Sequence, residues 1–206
     1  MIPMLFEKTG MRISERGISL IELIMFIVIV SVALAGILLV LNVTTKSSAD
    51  PLVHKQALAI AESLLEEVEL MPFTYCDPDD PTASTATSAA VGPGACTAKV
   101  EGIGPEAAYA YQATAETRYS ATTPFDNVND YNSFSMAGSI LDITGANVGL
   151  TGYSASIAVA AQAFSGIAAL DGNGTPQVLL ITVTVTGPDN LPVVLDGIRT
   201  RYSPNP

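Results

Sequence analysis

Histidine, cysteine and basic side chains are scarce in this chain of 206 residues. It has one His, two Cys, no Trp, and 9 Lys and Arg against 20 Asp and Glu. His54, Cys76 and Cys96 are too few for a zinc site made only of His and Cys, and a Ser-His-Asp triad would have to use His54. A formal net charge of −11 leaves no basic stripe for phosphates, so we expect no nucleic-acid partner.

Motifs of common enzymes are also missing from the sequence. It contains no HExxH, no CxxC and no Gly-rich phosphate-binding loop. Each of these motifs places ligands or backbone N–H groups where a metal or a phosphate needs them. We therefore expect no enzyme activity, no catalytic residue, no cofactor and no metal site.

One long apolar run dominates the N-terminal part of the chain. Residues 18–41 read ISLIELIMFIVIVSVALAGILLVL and carry a single charge, Glu22. As a helix this run is about 36 Å long, enough to cross a hydrocarbon core of roughly 30 Å. It is too long for a cleaved secretory signal, and no A-x-A-like site follows it. The mildly basic flank, residues 1–17, predicts that the N-terminus stays in the cytoplasm.

The carboxylate of Glu22 is unusual inside such a run. A charge at the centre of a membrane span costs about 2.5–3.5 kcal/mol, and less near its edge. If the chain is cut after Gly17, the new amine of Ile18 on a neighbouring chain can pair with Glu22. The alternative is that Glu22 lies at the membrane interface and extends its carboxylate towards water.

The segment Gly17–Leu23, GISLIEL, resembles the prepilin cleavage and methylation motif of type IV pilins and type II secretion pseudopilins. The resemblance implies that a prepilin peptidase cuts after Gly17 and methylates Ile18, and that Glu22 is the carboxylate used in assembly. The family usually has Phe at the position of Ile18. Major pilins often carry Pro at the position of Leu39, so the resemblance favours a minor pilin.

The resemblance also divides the chain into three parts. Residues 1–17 are a leader (Met11 is an alternative start), residues 18–41 are a transmembrane and assembly helix, and residues 42–206 are an extracytoplasmic pilin-like domain. It implies a bacterial inner-membrane protein with a single pass, a cytoplasmic N-terminus and a periplasmic domain. The protein then moves into a pilus at the cell surface.

The implied function is that of a minor pilin-like structural subunit. The segments IELI, SSADP and QALAIAESLLEEVEL look most like minor pilins of the mannose-sensitive-haemagglutinin pilus type. The partners implied are other pilin subunits, the prepilin peptidase, the inner-membrane assembly platform, and membrane lipid before assembly. Two alternatives remain, a minor pseudopilin of a type II secretion system and a pilus-tip adhesin.

A second helix is predicted over residues 52–71. Apolar residues recur there at spacings of three and four, the pattern of an amphipathic helix: Val53, Ala57, Ile60, Ala61, Leu64, Val68 and Met71. Asp50 and Pro51 are suited to a helix start, so we expect Pro51 to interrupt the long N-terminal helix. His54 is interpreted as a surface or packing residue.

The segment after Pro72 is rich in Pro, Gly, Ser and Thr and is predicted to be loop. Cys76 and Cys96 lie in it, and outside the cytoplasm we expect them to form a disulfide, worth about 3 kcal/mol. Two free buried thiols are the alternative.

Two acidic clusters can hold a calcium ion in principle, since calcium prefers oxygen ligands. The first contains Asp77, Asp79 and Asp80, and the second contains Asp126, Asn127, Asn129 and Asp130. Neither has the spacing of an EF-hand, so acidic turns and capped loops are favoured over metal sites.

The C-terminal part of the chain alternates as strands do. Residues 153–164 and 177–186 alternate and place apolar side chains on one face, residues 192–202 are predicted to be a third strand, and Asp171-Gly172-Asn173-Gly174 predicts a turn between the first two. The predicted fold class is α+β, with a long N-terminal hydrophobic helix, a second amphipathic helix and a C-terminal antiparallel sheet.

Overall fold

The computed structural model describes Gly17 and residues 19–201, and for residues 43–50 it describes the backbone alone. The leader and Ile18 therefore lie outside the described residues, apart from Gly17. The chain divides into two units, one up to Ser48 and one from Ala49 onwards. We describe each unit by itself.

The first unit contains the apolar part of helix α1 (Leu20–Glu69). From Leu20 to Asn42 the mean hydropathy reaches 3.2, and no side chain in this stretch is buried. Leu20 is 78% exposed and Phe26 is 63% exposed. This stretch is long and apolar enough to cross a membrane, as the sequence predicts.

Both predicted helical stretches are present, but the expected break between them is not. The backbone is helical on both sides of Pro51 and through it, so the prediction that Pro51 interrupts the helix is wrong. A proline inside a helix removes one hydrogen bond and crowds the preceding turn. Here the residues on either side keep their helical conformation despite that loss.

In the second unit, the last turns of α1 pack one face into the core. Five of its side chains are buried: Ala57, Ile60, Ala61, Leu64 and Val68. The face was predicted correctly, although Val53 and Met71 are only partly buried at its ends. His54 and the acidic residues Glu62, Glu66 and Glu69 are exposed.

The main sheet is antiparallel and has four strands in the order β1-β4-β5-β6. Its strands are β1 (Ser135–Met136), β4 (Ser154–Ala161), β5 (Val178–Thr186) and β6 (Pro192–Thr200). Strands β2 (Ser139–Leu141) and β3 (Asn147–Thr151) pair separately. The α+β class is confirmed, with β4, β5 and β6 at the three predicted positions.

The register of β4, β5 and β6 places their apolar side chains on one face. Ile157 lies opposite Val183, and Val183 lies opposite Leu195. These residues join the buried helix side chains in a single core cluster. The alternation in the sequence therefore corresponds to one buried face, which the amphipathic part of α1 covers.

Two glycines let the helix approach the sheet closely. A side-chain carbon at Gly187 would lie 2.6 Å from the Cγ1 atom of Val53, and one at Gly197 would lie 2.8 Å from the Cδ1 atom of Leu65. Both distances are shorter than carbon atoms tolerate, so a larger residue at either position requires the facing helix side chains to move.

Candidate functional sites

The first candidate site is the N-terminal end of α1. Gly17 is exposed, and the helix begins with a hydrogen bond from the Leu23 amide to the Ser19 carbonyl oxygen, 3.1 Å long. The side chain of Glu22 is exposed in the first turn of the helix. Within the described part of the chain, no hydrogen bond or ion pair to its carboxylate is found.

The second candidate site begins with the disulfide that joins Cys76 and Cys96, as predicted. Both sulfur-bearing residues are fully buried. An antiparallel bridge pairs Cys76 with Val100, and the Glu101 amide donates to the Tyr75 carbonyl oxygen at 3.0 Å. These contacts bring the start of the disulfide loop alongside the segment that follows the loop.

Asp80 stabilises the same loop from inside. Its carboxylate accepts hydrogen bonds from the amides of Thr82, Thr97, Ala98 and Lys99 at 2.7–3.0 Å. Burial raises the pKa of Asp80, but these hydrogen bonds outweigh burial and hold the pKa well below its usual range. Asp80 is therefore a structural carboxylate that is already satisfied by protein donors.

The 3-10 helix Val128–Tyr131 also belongs to the second candidate site, because hydrogen bonds attach it to the segments before and after the disulfide loop. The Val128 amide donates to the Pro72 carbonyl oxygen, and the Gly104 amide donates to the Asn129 carbonyl oxygen, both at 3.0 Å. One oxygen of Asp130 accepts the amides of Asp126 and Asn127. The prediction of a capped turn at residues 126–130 is thus confirmed.

Six carboxylates meet between these segments, in two groups of three. The ligand atoms of Asp77, Glu116 and Asp126 lie within 4.8 Å of one another, and so do those of Glu101, Glu106 and Asp130. We call the first group the outer triad, the second the inner triad, and both together the acidic chamber.

Backbone donors connect the two triads. The Glu106 amide donates to Oε2 of Glu116 at 3.0 Å, and the Asp126 amide donates to Oδ2 of Asp130 at 3.0 Å. Each of these hydrogen bonds runs between a residue of one triad and a residue of the other. The six side chains therefore form one continuous arrangement.

Several oxygens of the inner triad are buried without a hydrogen-bond donor. Both carboxylate oxygens of Glu101, Oε2 of Glu106 and Oδ1 of Asp130 have no partner among the described residues. Glu106 is 4% exposed and Asp130 is 1% exposed. The amide oxygen of buried Gln112, whose Nε2 atom lies 3.4 Å from the Glu106 carbonyl oxygen, has no partner either.

Among the described residues, no basic side chain forms an ion pair with the acidic chamber, although the charge of Arg201 interacts with that of Glu101 from a longer distance. Among the described side chains the ion pair found is that of Arg118 with Glu67, which lies outside the chamber. The guanidinium of Arg201 stacks on Phe73 and Tyr75, with its central carbon 4.0 and 4.2 Å from the two ring centres.

Burial and mutual repulsion change the acidity of the acidic chamber. Burial, followed by the charges of neighbouring carboxylates, raises the pKa of Glu101 to about 11 and that of Asp126 to about 7. Burial and the charge of Glu116 raise the pKa of Asp130 to about 9. Burial is also the main cause that raises the pKa of Asp77, and it raises that of Glu116 to about 7. In the absence of a cation, Glu101 and Asp130 therefore retain their protons at neutral pH.

The sequence indicated only part of this arrangement. Asp77 accepts a hydrogen bond from the Asp79 amide, as the favoured acidic turn implies, but the carboxylate that lies beside it in the chamber is that of Asp126 and not that of Asp79 or Asp80. Glu101, Glu106 and Glu116 were not singled out from the sequence. Their sequence surroundings gave one indication of burial. Each of the three is flanked mainly by Gly, Pro, Ala and Thr residues with few basic neighbours, which is unusual for a solvated acidic surface.

An ion pair between Arg118 and Glu67 connects the loop that contains Arg118 to helix α1, next to Tyr131. Two guanidinium N–H groups of Arg118 donate to the two carboxylate oxygens of Glu67 at 2.7 Å each. A further nitrogen donates to the carbonyl oxygens of Leu141 and Asp142. The hydroxyl of Tyr131 donates to Oε1 of Glu67 at 2.8 Å. Arg118 is thereby engaged on both sides of its guanidinium.

Comparisons with protein-family models, with curated proteins and with solved structures found no match to this chain.

Proposed function

We propose that this protein is a minor pilin-like structural subunit that a prepilin peptidase processes and that enters a type IV pilus through its N-terminal helix. The observation that carries the proposal is the order of three features along the chain. Gly17 is followed five residues later by Glu22, and Glu22 lies in the first turn of the apolar helical stretch Leu20–Asn42, in which no side chain is buried.

The exposed apolar stretch supplies the physical reason for assembly. A helix with almost all of its large apolar side chains exposed, such as Leu20 and Phe26, needs lipid or other apolar helices around it. In the membrane lipid provides that surrounding. In a fibre, equivalent helices of neighbouring subunits provide it.

Glu22 supplies the register of the assembly. A lone carboxylate among apolar side chains is costly unless a positive charge lies beside it. Cleavage after Gly17 creates such a charge at Ile18 of each neighbouring subunit. Pairing between Glu22 of one subunit and the amine of the next would set a fixed stagger between them.

The first test is intact mass and N-terminal sequencing of the protein from native membranes and from sheared surface fibres. We expect a chain that begins with methylated Ile18 in both fractions. An unprocessed N-terminus in cells with an active prepilin peptidase contradicts the proposal. A processed chain confined to the membrane favours the pseudopilin alternative, because a pseudopilin does not build a surface fibre.

The second test separates assembly from anchoring. Glu22→Ala leaves the apolar stretch intact but removes the partner of the amine, so the amount of protein in fibres relative to membranes should fall at least about tenfold. Glu62→Ala is the matched control, since Glu62 is an exposed glutamate on the same helix. Equal incorporation of the two variants refutes a role of Glu22 in assembly.

A further inference from the structure

The inner triad of the acidic chamber consists of three carboxylates, whose oxygen atoms are possible metal ligands and lie close together. Glu101, Glu106 and Asp130 place their ligand atoms within 4.8 Å of one another, and a donor for four of their oxygens is lacking among the described residues. Buried carboxylates normally accept hydrogen bonds or pair with a cation. The structure offers neither to these oxygens.

The contrast with Asp80 shows that this is not a general property of the loops. Asp80 is as deeply buried as Glu106, at 2% against 4% exposure. Yet four backbone amides converge on Asp80. The same loops therefore satisfy Asp80 with four amides but leave four oxygens of the inner triad without a hydrogen-bond donor among the described residues.

We propose that the acidic chamber is a calcium site centred on Glu101, Glu106 and Asp130, with Asp77, Glu116 and Asp126 adjoining it. This inference departs from the sequence-based expectation that the chain has no metal site. It is independent of the proposed role in a pilus.

The chemistry of the donors favours calcium over other ions. Carboxylate and amide oxygens are hard ligands, which suit calcium and magnesium rather than zinc or copper. Magnesium binds at near-ideal octahedral geometry and usually keeps several waters, whereas calcium accepts six to eight oxygens in variable geometry. An arrangement of irregular loop segments, with buried oxygens crowded together, fits calcium.

The ion would have a structural task. Asp77 lies beside the disulfide, Glu101 and Glu106 lie in the segment after it, and Asp130 lies in the 3-10 helix. A cation that binds all three segments displaces the protons that the carboxyl groups retain and attracts the resulting carboxylates, so it holds the segments together. The loops before the sheet would then be ordered mainly when calcium is present.

The test uses the full chain in detergent micelles, freed of metal with a chelator. Calcium chloride is titrated by calorimetry, and the thermal unfolding midpoint is followed by tyrosine fluorescence. We expect binding with a dissociation constant below about 1 mM, the upper limit of extracellular calcium modules. The midpoint should rise by about 5–10 °C when calcium is about 100-fold above that constant.

Glu101→Gln is the decisive variant. Both oxygens of Glu101 lack a partner among the described residues. Replacing this carboxyl group by the amide of Gln therefore removes a charge without removing a hydrogen bond within the protein. We expect at least tenfold weaker calcium binding together with an unchanged or higher midpoint in chelator. Glu106→Gln keeps an acceptor for the Gly102 amide and should behave in the same way.

Glu62→Gln is the control for net charge, because Glu62 is exposed on α1. It should bind calcium like the unmodified chain. The proposal is overturned if calcium up to a few millimolar neither binds nor shifts the midpoint. It is also overturned if Glu101→Gln and Glu62→Gln respond alike, or if magnesium binds as tightly as calcium.

Discussion

The ion pair between Arg118 and Glu67 offers the sharpest test of how the loops are attached to the helix. The change is Arg118→Met, which keeps much of the length and apolar volume of the side chain but removes its charge. Arg118 is 5% exposed, and it donates to both oxygens of Glu67 and to the carbonyl oxygens of Leu141 and Asp142.

The expected loss follows from what remains after the change. Glu67 keeps its hydrogen bond from the Tyr131 hydroxyl, but its carboxylate loses two short bonds and its compensating charge. Breaking a buried pair on one side costs about 3–5 kcal/mol. An exposed pair would cost about 1 kcal/mol or less, so the two cases are well separated.

The assay is urea unfolding of the full chain in micelles, followed by tyrosine fluorescence. The chain has no Trp, and all seven Tyr lie beyond residue 49, so the signal reports on the second unit. With a slope of about 1–3 kcal/mol per molar urea, the midpoint should fall by at least about 1 M.

A double-mutant cycle completes the test. Glu67→Gln retains an acceptor for Tyr131 while removing the charge, and Arg118→Met with Glu67→Gln leaves no uncompensated ion. The double variant should therefore be more stable than the sum of the two single losses predicts, by about 1–3 kcal/mol. Additive losses, or a loss below about 1 kcal/mol for Arg118→Met, would refute the assignment of a buried, coupled pair.

Two further predictions concern the disulfide loop. Replacing Cys76 and Cys96 together by Ser should lower the free energy of unfolding by about 3 kcal/mol, because it reopens a loop of 20 residues, and a loss under about 1 kcal/mol would contradict this in the same urea assay. Asp80→Asn should cost roughly 2 kcal/mol at pH 7. Since the folded pKa of Asp80 lies below its ordinary value, its contribution is present above about pH 4 and is lost as the pH falls towards the folded pKa. The measurement is the difference in stability between the original chain and Asp80→Asn against pH, which should shrink on acidification, whereas a constant difference would exclude the ionised role.

Regular periodicity explains what could be predicted of the fold. The three-and-four spacing around Ile60 and Leu64 and the alternation around Ile181 and Val183 each define one buried face, which is a local property of the sequence. Strands β1 and β2, with two and three residues, are too short to show such a pattern.

The acidic chamber could not be predicted because its members are far apart in the sequence. Asp77 and Asp126 come together only through the disulfide, the bridge at Val100 and the hydrogen bonds of the 3-10 helix. Composition showed an excess of acidic residues but could not separate buried from solvated ones. By contrast, the residues from Gly17 to Glu22 are contiguous in the sequence, so their pattern can be recognised without a structure.

The close approach of the helix at Gly187 and Gly197 has a mechanical consequence. The helix residues concerned, Val53 and Leu65, are about 18 Å apart along the helix axis. Two flat apolar surfaces can slide past each other with little resistance. A side chain packed over a glycine is different, because the larger residues beside that glycine block its movement along the sheet. The contacts at Gly187 and Gly197 would thus both resist a pulling force along this part of the helix. We expect the helix and the sheet to unfold together rather than to slide apart.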